Sequence, residues 1–171
     1  MKNGPCIVVM GVSGCGKSTV GRALATALGL PFVEGDDLHP PRNVALMAAG
    51  TPLTDDDRAD WLRTLSEVLA GAAARGQGVV VSCSALKRRY RDVLRSGAPA
   101  LRLVFLHGSR DLLAERVATR THRYMPASLL DSQLQTLESP GPDERPVTLD
   151  ISAPPEALAD AARRALEATG P

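Results

Sequence analysis

Residues Gly11 to Ser18 read Gly-Val-Ser-Gly-Cys-Gly-Lys-Ser and match the spacing G-x-x-x-x-G-K-[ST]. Glycines at these intervals let successive backbone N–H groups converge on phosphate oxygens, and a helix starting near Lys17 adds the partial positive charge of its N-terminus. The pattern predicts a nucleoside triphosphate cradle built from Gly11, Val12, Ser13, Gly14, Cys15, Gly16, Lys17, Ser18 and Thr19. Lys17 would reach the β- and γ-phosphates, Ser18 would offer its hydroxyl to Mg²⁺, and Thr19 would contact the α-phosphate.

A second stretch, Glu-Gly-Asp-Asp-Leu-His-Pro-Pro-Arg-Asn from Glu34 to Asn43, concentrates carboxylates, a histidine and two prolines directly after a short apolar run. It is either a polar turn or a pocket. If the run before it is the second strand of a doubly wound sheet, its end lies beside the phosphate loop, because ligands collect at the carboxyl ends of such strands. A carboxylate there can orient an attacking hydroxyl and take its proton. Asp36 is the first candidate for that base, Glu34 could hold a water of Mg²⁺, and Asp37 could cap the next turn. His39 could donate to a substrate hydroxyl or be a turn histidine satisfied by backbone.

The elements needed to position these groups are legible as an alternation. Short β-branched runs at 6–10, 31–34, 78–83, 101–107 and 146–151 are mostly apolar on both faces, as buried parallel strands are. Helical patterns fall near 17–28, 42–49, 56–75, 86–96, 110–120, 128–137 and 155–168. The alternation predicts an α/β fold with a parallel sheet covered on both sides. Thr54 or Asp55 suits an N-cap followed by acidic residues. Gly29, Gly50, Gly76 and Gly97 suit left-handed helix ends. Residues 138–146 read as a loop unable to start a helix.

At 171 residues one domain with a real core is expected. The hydrophobic fraction of 44% and net charge of +1 give no global reason to expect nucleic acid or an anionic membrane as partner. No apolar run approaches the roughly 20 residues of a spanning helix, and the first residues do not read as a secretory signal, so a cytoplasmic location is expected. Cys6, Cys15 and Cys83 show no metal-like spacing and are expected to be reduced thiols. Lysines occur only at Lys2, Lys17 and Lys87, against seventeen arginines, which draws notice to the internal two.

A regulatory GTPase would carry N-K-x-D, yet the asparagines are Asn3 and Asn43 and neither precedes lysine. The third strand ends Val-Val-Val-Ser-Cys without the carboxylate that many P-loop hydrolases use for Mg²⁺. Four blocks, "MGVSGCGKST", "GDDLHPPRNVALMAAGTPLTDDDRADWL", "CSALKRRYRDVLR" and "LLDSQLQTLE", together resemble the gluconate kinases, small P-loop kinases related to shikimate and nucleoside monophosphate kinases. The resemblance spans roughly residues 7–151. It implies a P-loop NTPase fold of the nucleoside monophosphate kinase type: a five-stranded parallel sheet flanked by helices, acceptor-binding helices at about 38–75 and a lid at about 120–132. It implies phosphorylation of D-gluconate on its 6-hydroxyl by ATP with Mg²⁺, and a homodimer. Shikimate or another small polyol acid is the alternative acceptor, and a nonenzymatic ATP-dependent switch is a more distant reading.

With that acceptor, Asp36 and His39 suit the hydroxyls, while Arg58, Lys87 and Arg91 are candidate cations for the carboxylate. Trp61 either walls the pocket or packs in the core. Arg116 and Arg120, four apart on one helical face, are expected to reach the phosphates, Arg120 as the transition-state contact, with Arg123 next to them. The lid departs from the family pattern: His122-Arg123-Tyr124 stands where Gly-His-Phe is common.

Overall fold

Five consecutive buried residues, Cys6–Met10, form β1, and since alternate side chains of a strand face opposite ways, both faces of this strand are covered. In the computed structural model, which describes residues 3–119 and 127–170, β1 is the centre of a five-stranded sheet. The other strands are β2 (Phe32–Glu34), β3 (Val79–Ser82), β4 (Arg102–His107) and β5 (Val147–Asp150), in spatial order β2-β3-β1-β4-β5 with every pairing parallel. The helices are α1 (Lys17–Leu28), α2 (Pro41–Ala48), α3 (Asp55–Ala74), α4 (Arg88–Gly97), α5 (Arg110–Ala118), α6 (Ala127–Thr136) and α7 (Pro155–Thr169). The order of elements is the expected one, with boundaries moved by one or two residues. β5, at an edge, alternates half-buried with exposed positions rather than being apolar throughout.

Helix α1 packs against α7 and the sheet, and α3 packs against α4. Thr54 caps α3 as expected: its hydroxyl accepts from Asp57 N–H at 3.1 Å while Asp57 returns a bond to Thr54 N–H at 2.9 Å. The three cysteines are buried free thiols. No described helix is long and apolar enough to cross a membrane.

Three local expectations are corrected. Gly29, Gly50 and Gly76 do take positive φ, but Gly97 lies inside α4; a Cβ there would stand 2.2 Å from Ser66 O, so its role is close approach of α4 to α3. Asp37 stands within a 3-10 turn, Gly35–Leu38, rather than at an N-cap position, and α2 starts on Pro40 and Pro41 with no side-chain cap from its N-cap residue. Finally, residues 138–146 are no plain loop. They contain a 3-10 turn at Pro142–Glu144 whose acids bind the basic side of α4. Glu138 accepts from Arg88 N–H at 2.9 Å, and Asp143 pairs with Arg88. The lid expected at about 120–132 is described only from residue 127, where α6 begins; residues 120–126 lie outside the described residues.

The strongest of these contacts is internal. Arg91 and Glu144, 1% and 2% exposed, pair through Nε–Oε1 at 2.7 Å and Nη2–Oε2 at 3.0 Å. Arg95 and the Gly141 N–H also donate to Glu144. Burial works to raise the Glu144 pKa, but the bonds from Arg91, Arg95 and Gly141 outweigh it and bring it from 4.5 down to about 2. A carboxyl depressed in the folded state stabilises fully above its unfolded value, and that contribution fades as pH falls from about 4.5 toward 2. Glu144→Gln is expected to lower unfolding free energy by about 3–5 kcal/mol at pH 7, because Arg91 is left buried without a counter-charge. Urea denaturation at pH 7 and at pH 3.5 should show the gap between wild type and variant narrowing at the acid end.

Candidate active site

The chain leaves β1 at Met10 and turns through Gly14 and Gly16, with φ of 83° and 91°, into the first turn of α1. These are left-handed conformations that favour glycine. No side chain caps α1, so the N–H groups of its first turn are left to other partners. Ser13, Gly14, Gly16, Lys17, Ser18 and Thr19 line a cavity of about 280 Å³. Gly11, Val12 and Cys15 are buried beneath it and shape the loop rather than line it. Lys17 Nζ lies over the loop, donating to Val12 O at 3.2 Å.

Glu34 ends β2 in register with Ser82 of β3. Its Oε1 accepts from Ser82 Oγ at 2.6 Å, and its Oε2 accepts from Ser18 Oγ. The carboxylate at this edge thus stands on β2, beside the end of β3. Ser18 and Glu34 together present hard oxygen donors, suited to Mg²⁺, which keeps most of its shell as water and phosphate. Among the described residues, no group of three or more His, Cys, Asp or Glu could hold a metal ion.

Asp36 follows Gly35, and only glycine fits there: a Cβ would meet Ser82 O at 2.0 Å. Gly35 N–H also donates to Ser82 Oγ at 3.2 Å, and its carbonyl accepts from Trp61 Nε1 at 2.8 Å. Asp36 is thereby pinned at the carboxyl edge and lines the same cavity as Lys17. Trp61 resolves its two alternatives by satisfying both: it is 1% exposed, yet its ring stacks on His39 at 4.0 Å and forms part of the cavity wall. Asn43 Nδ2 donates to Asp57 O at 2.8 Å, and the same amide lies 3.2 Å from His39 Nδ1. An amide N–H₂ cannot accept, so Nδ1 is the acceptor and the ring proton of His39 resides on Nε2.

The candidate cations separate. Arg58, 9% exposed, lines the cavity; its Nη1 donates to Leu53 O at 2.9 Å and to Tyr90 Oη at 3.0 Å, and no carboxylate of the described residues is within ion-pair distance. Arg91 is bonded to Glu144 and to the carbonyls of Ala85 and Leu86 and is not among the residues lining the cavity. Lys87 is also outside the cavity lining and pairs with Asp55 at 3.1 Å. Arg116 reaches the cavity edge while one nitrogen donates to Ile151 O at 2.7 Å. Arg120 and Arg123 lie outside the described residues, as does His122-Arg123-Tyr124.

Sequence reasoning missed Gln133, whose Oε1 accepts from the phosphate-loop N–H of Ser13 at 2.7 Å. The block "LLDSQLQTLE" that contains it was the available signal, but nothing in that block marks which polar residue faces the loop. Asn43 and Tyr90 were missed for the same reason.

Comparison with known proteins matches this architecture to its relatives. A family model described as an AAA domain matches residues 6–140. The gluconokinase of Gluconobacter oxydans is 53% identical over 138 residues, covering 81% of this chain and 78% of that protein. The crystal structure of a gluconokinase from Sinorhizobium meliloti superposes with a TM-score of 0.89 at 52% identity, covering 99% of this chain and 95% of that one. A shikimate kinase from Acinetobacter baumannii, bound to shikimate, reaches a TM-score of 0.64 at 20% identity over 98% and 97% of the two chains, a likeness of fold alone. The phosphate loop, the Asp36 turn and the long, close sequence match lead to one assignment: the chain belongs to the gluconokinase family of P-loop kinases.

Proposed function

We propose that this chain transfers the γ-phosphoryl group of ATP to the 6-hydroxyl of D-gluconate, giving 6-phospho-D-gluconate and ADP. The observation that carries the reading is Arg58, a nearly buried guanidinium that among the described residues is bonded only to neutral oxygens, on the wall of the cavity that holds Lys17 and Asp36. A buried cation without a carboxylate is costly unless an anion arrives with the ligand. An acceptor that carries its own carboxylate supplies that anion. Shikimate would also do so, but the likeness to a shikimate kinase is one of fold alone.

In this mechanism Lys17 and the loop N–H groups take the charge of the β- and γ-phosphates. Asp36 orients the terminal hydroxyl, accepts its proton as the oxygen bonds to the γ-phosphorus, and leaves the bridging oxygen to depart with ADP. Ser18 and, through water, Glu34 would hold Mg²⁺, which would supply positive charge to the triphosphate. His39 donates from Nε2 to a hydroxyl of the polyol. Arg116 serves the nucleotide side, and Arg120 is assigned the transition-state contact on the strength of the resemblance. A homodimer is proposed on the same footing, and a cytoplasmic location from the sequence pattern.

The test is ADP release over a panel of D-gluconate, shikimate, nucleoside monophosphates and buffer. Stimulation by gluconate alone is expected; stimulation by shikimate, or hydrolysis independent of any acceptor, overturns the assignment. Asp36→Asn is expected to lower kcat at least a hundredfold, on the order of a lost catalytic base, with ATP affinity within about twofold of wild type. Loss of ATP binding instead would move Asp36 off the acceptor side. Arg58→Met should raise KM for gluconate by on the order of a hundredfold, the worth of a charge-assisted anion contact.

A further inference from the structure

Asp55, in the first turn of α3, gathers donors from the start of α4. Its carboxylate accepts from Lys87 Nζ at 3.1 and 3.4 Å, from Arg89 Nη1 at 2.8 Å, and from the hydroxyl of Tyr90. Tyr90 is 3% exposed, and the same hydroxyl oxygen accepts from Arg58 Nη1 at 3.0 Å. The direction of both bonds is forced. A guanidinium has no acceptor, so Tyr90 must accept from Arg58, and its single proton must go to Asp55. Arg58 also lies over the Tyr90 ring, 5.3 Å from its centroid. Burial and the bond to Asp55 raise the Tyr90 pKa, and bonds from Tyr90 and Lys87 lower that of Asp55, both in accord with a proton held on the phenol.

The two buried arginines show what this arrangement is for. Glu144 meets Arg91 directly, in a two-bond fork that leaves little of its charge for anything else. At Arg58 a neutral phenol stands between guanidinium and carboxylate. It fixes the position of Nη1, together with Leu53 O at 2.9 Å, without cancelling the positive charge. Orientation is transmitted and neutralisation is not.

We propose that Tyr90 is a positioning residue of the acceptor site, holding Arg58 through the Arg58–Tyr90–Asp55 relay in the orientation that receives the acceptor's carboxylate. This rests on the reading of gluconate as acceptor. It assigns Lys87 and Arg89 to the far end of the relay, where they anchor Asp55, rather than to the substrate.

Steady-state kinetics of wild type, Tyr90→Phe and Asp55→Asn test it, with thermal unfolding measured alongside. Tyr90→Phe keeps the ring and loses only the hydroxyl. It is expected to raise KM for gluconate about tenfold, with kcat and KM for ATP within twofold, the pattern of lost ground-state binding; Asp55→Asn should do the same, and it stands as the test if Tyr90→Phe does not fold. An unchanged KM for gluconate in a folded variant, or a matching rise in KM for ATP, overturns the proposal. Wild type that turns over no gluconate removes the acceptor reading itself, an outcome distinct from wild-type turnover left unaltered by the variants.

Discussion

The whole carboxyl edge is registered against β1. Its five buried residues pair with β3 on one side and β4 on the other, and the phosphate loop leaves directly from its end. Because both faces are covered, the strand cannot slide or tilt without exposing apolar surface, at about 25 cal/mol for each Å² uncovered. The end of β3 follows from that registration, and Ser82 at its end then holds β2 through Glu34 and Gly35. Chemistry at the edge is therefore placed by a chain of strand pairings before any polar contact adds its part.

The polar contacts divide into those that close on themselves and those that remain open to the cavity. Arg91 and Glu144 close, tying α4 to the turn at Pro142–Glu144 across 53 residues of sequence. Arg58 stays open. Two arginines of similar burial thus have opposite consequences, set by whether a carboxylate or a phenol was placed beside them. A buried charge kept from its counter-ion lowers stability.

Much of this was legible in the chain. The alternation of apolar runs gave the five strands and seven helices of the described residues, and the spacing Gly11 to Ser18 gave the loop, because both are local patterns. Glu34 was a candidate for a water of Mg²⁺ because the end of the second strand should lie beside the phosphate loop, but its bond to Ser82 was not foreseeable, since it depends on the register of β2 against β3. The pairing of Arg91 was not foreseeable because its partner, Glu144, lies in a stretch read as a loop. Lys87 drew attention by rarity, whereas its position was decided by Asp55 on another helix. Helix composition shows that a face is basic; it does not show which acids, far along the chain, will fold onto it.

Trp61 is the one indole in the chain, and it stands in the cavity wall with its ring against His39 and its N–H on Gly35. Its indole emission therefore carries no signal from a second tryptophan. The molecule contains its own optical reporter of the acceptor side, sensitive to the ring stacked on it and to the backbone that carries Asp36, and needing no label.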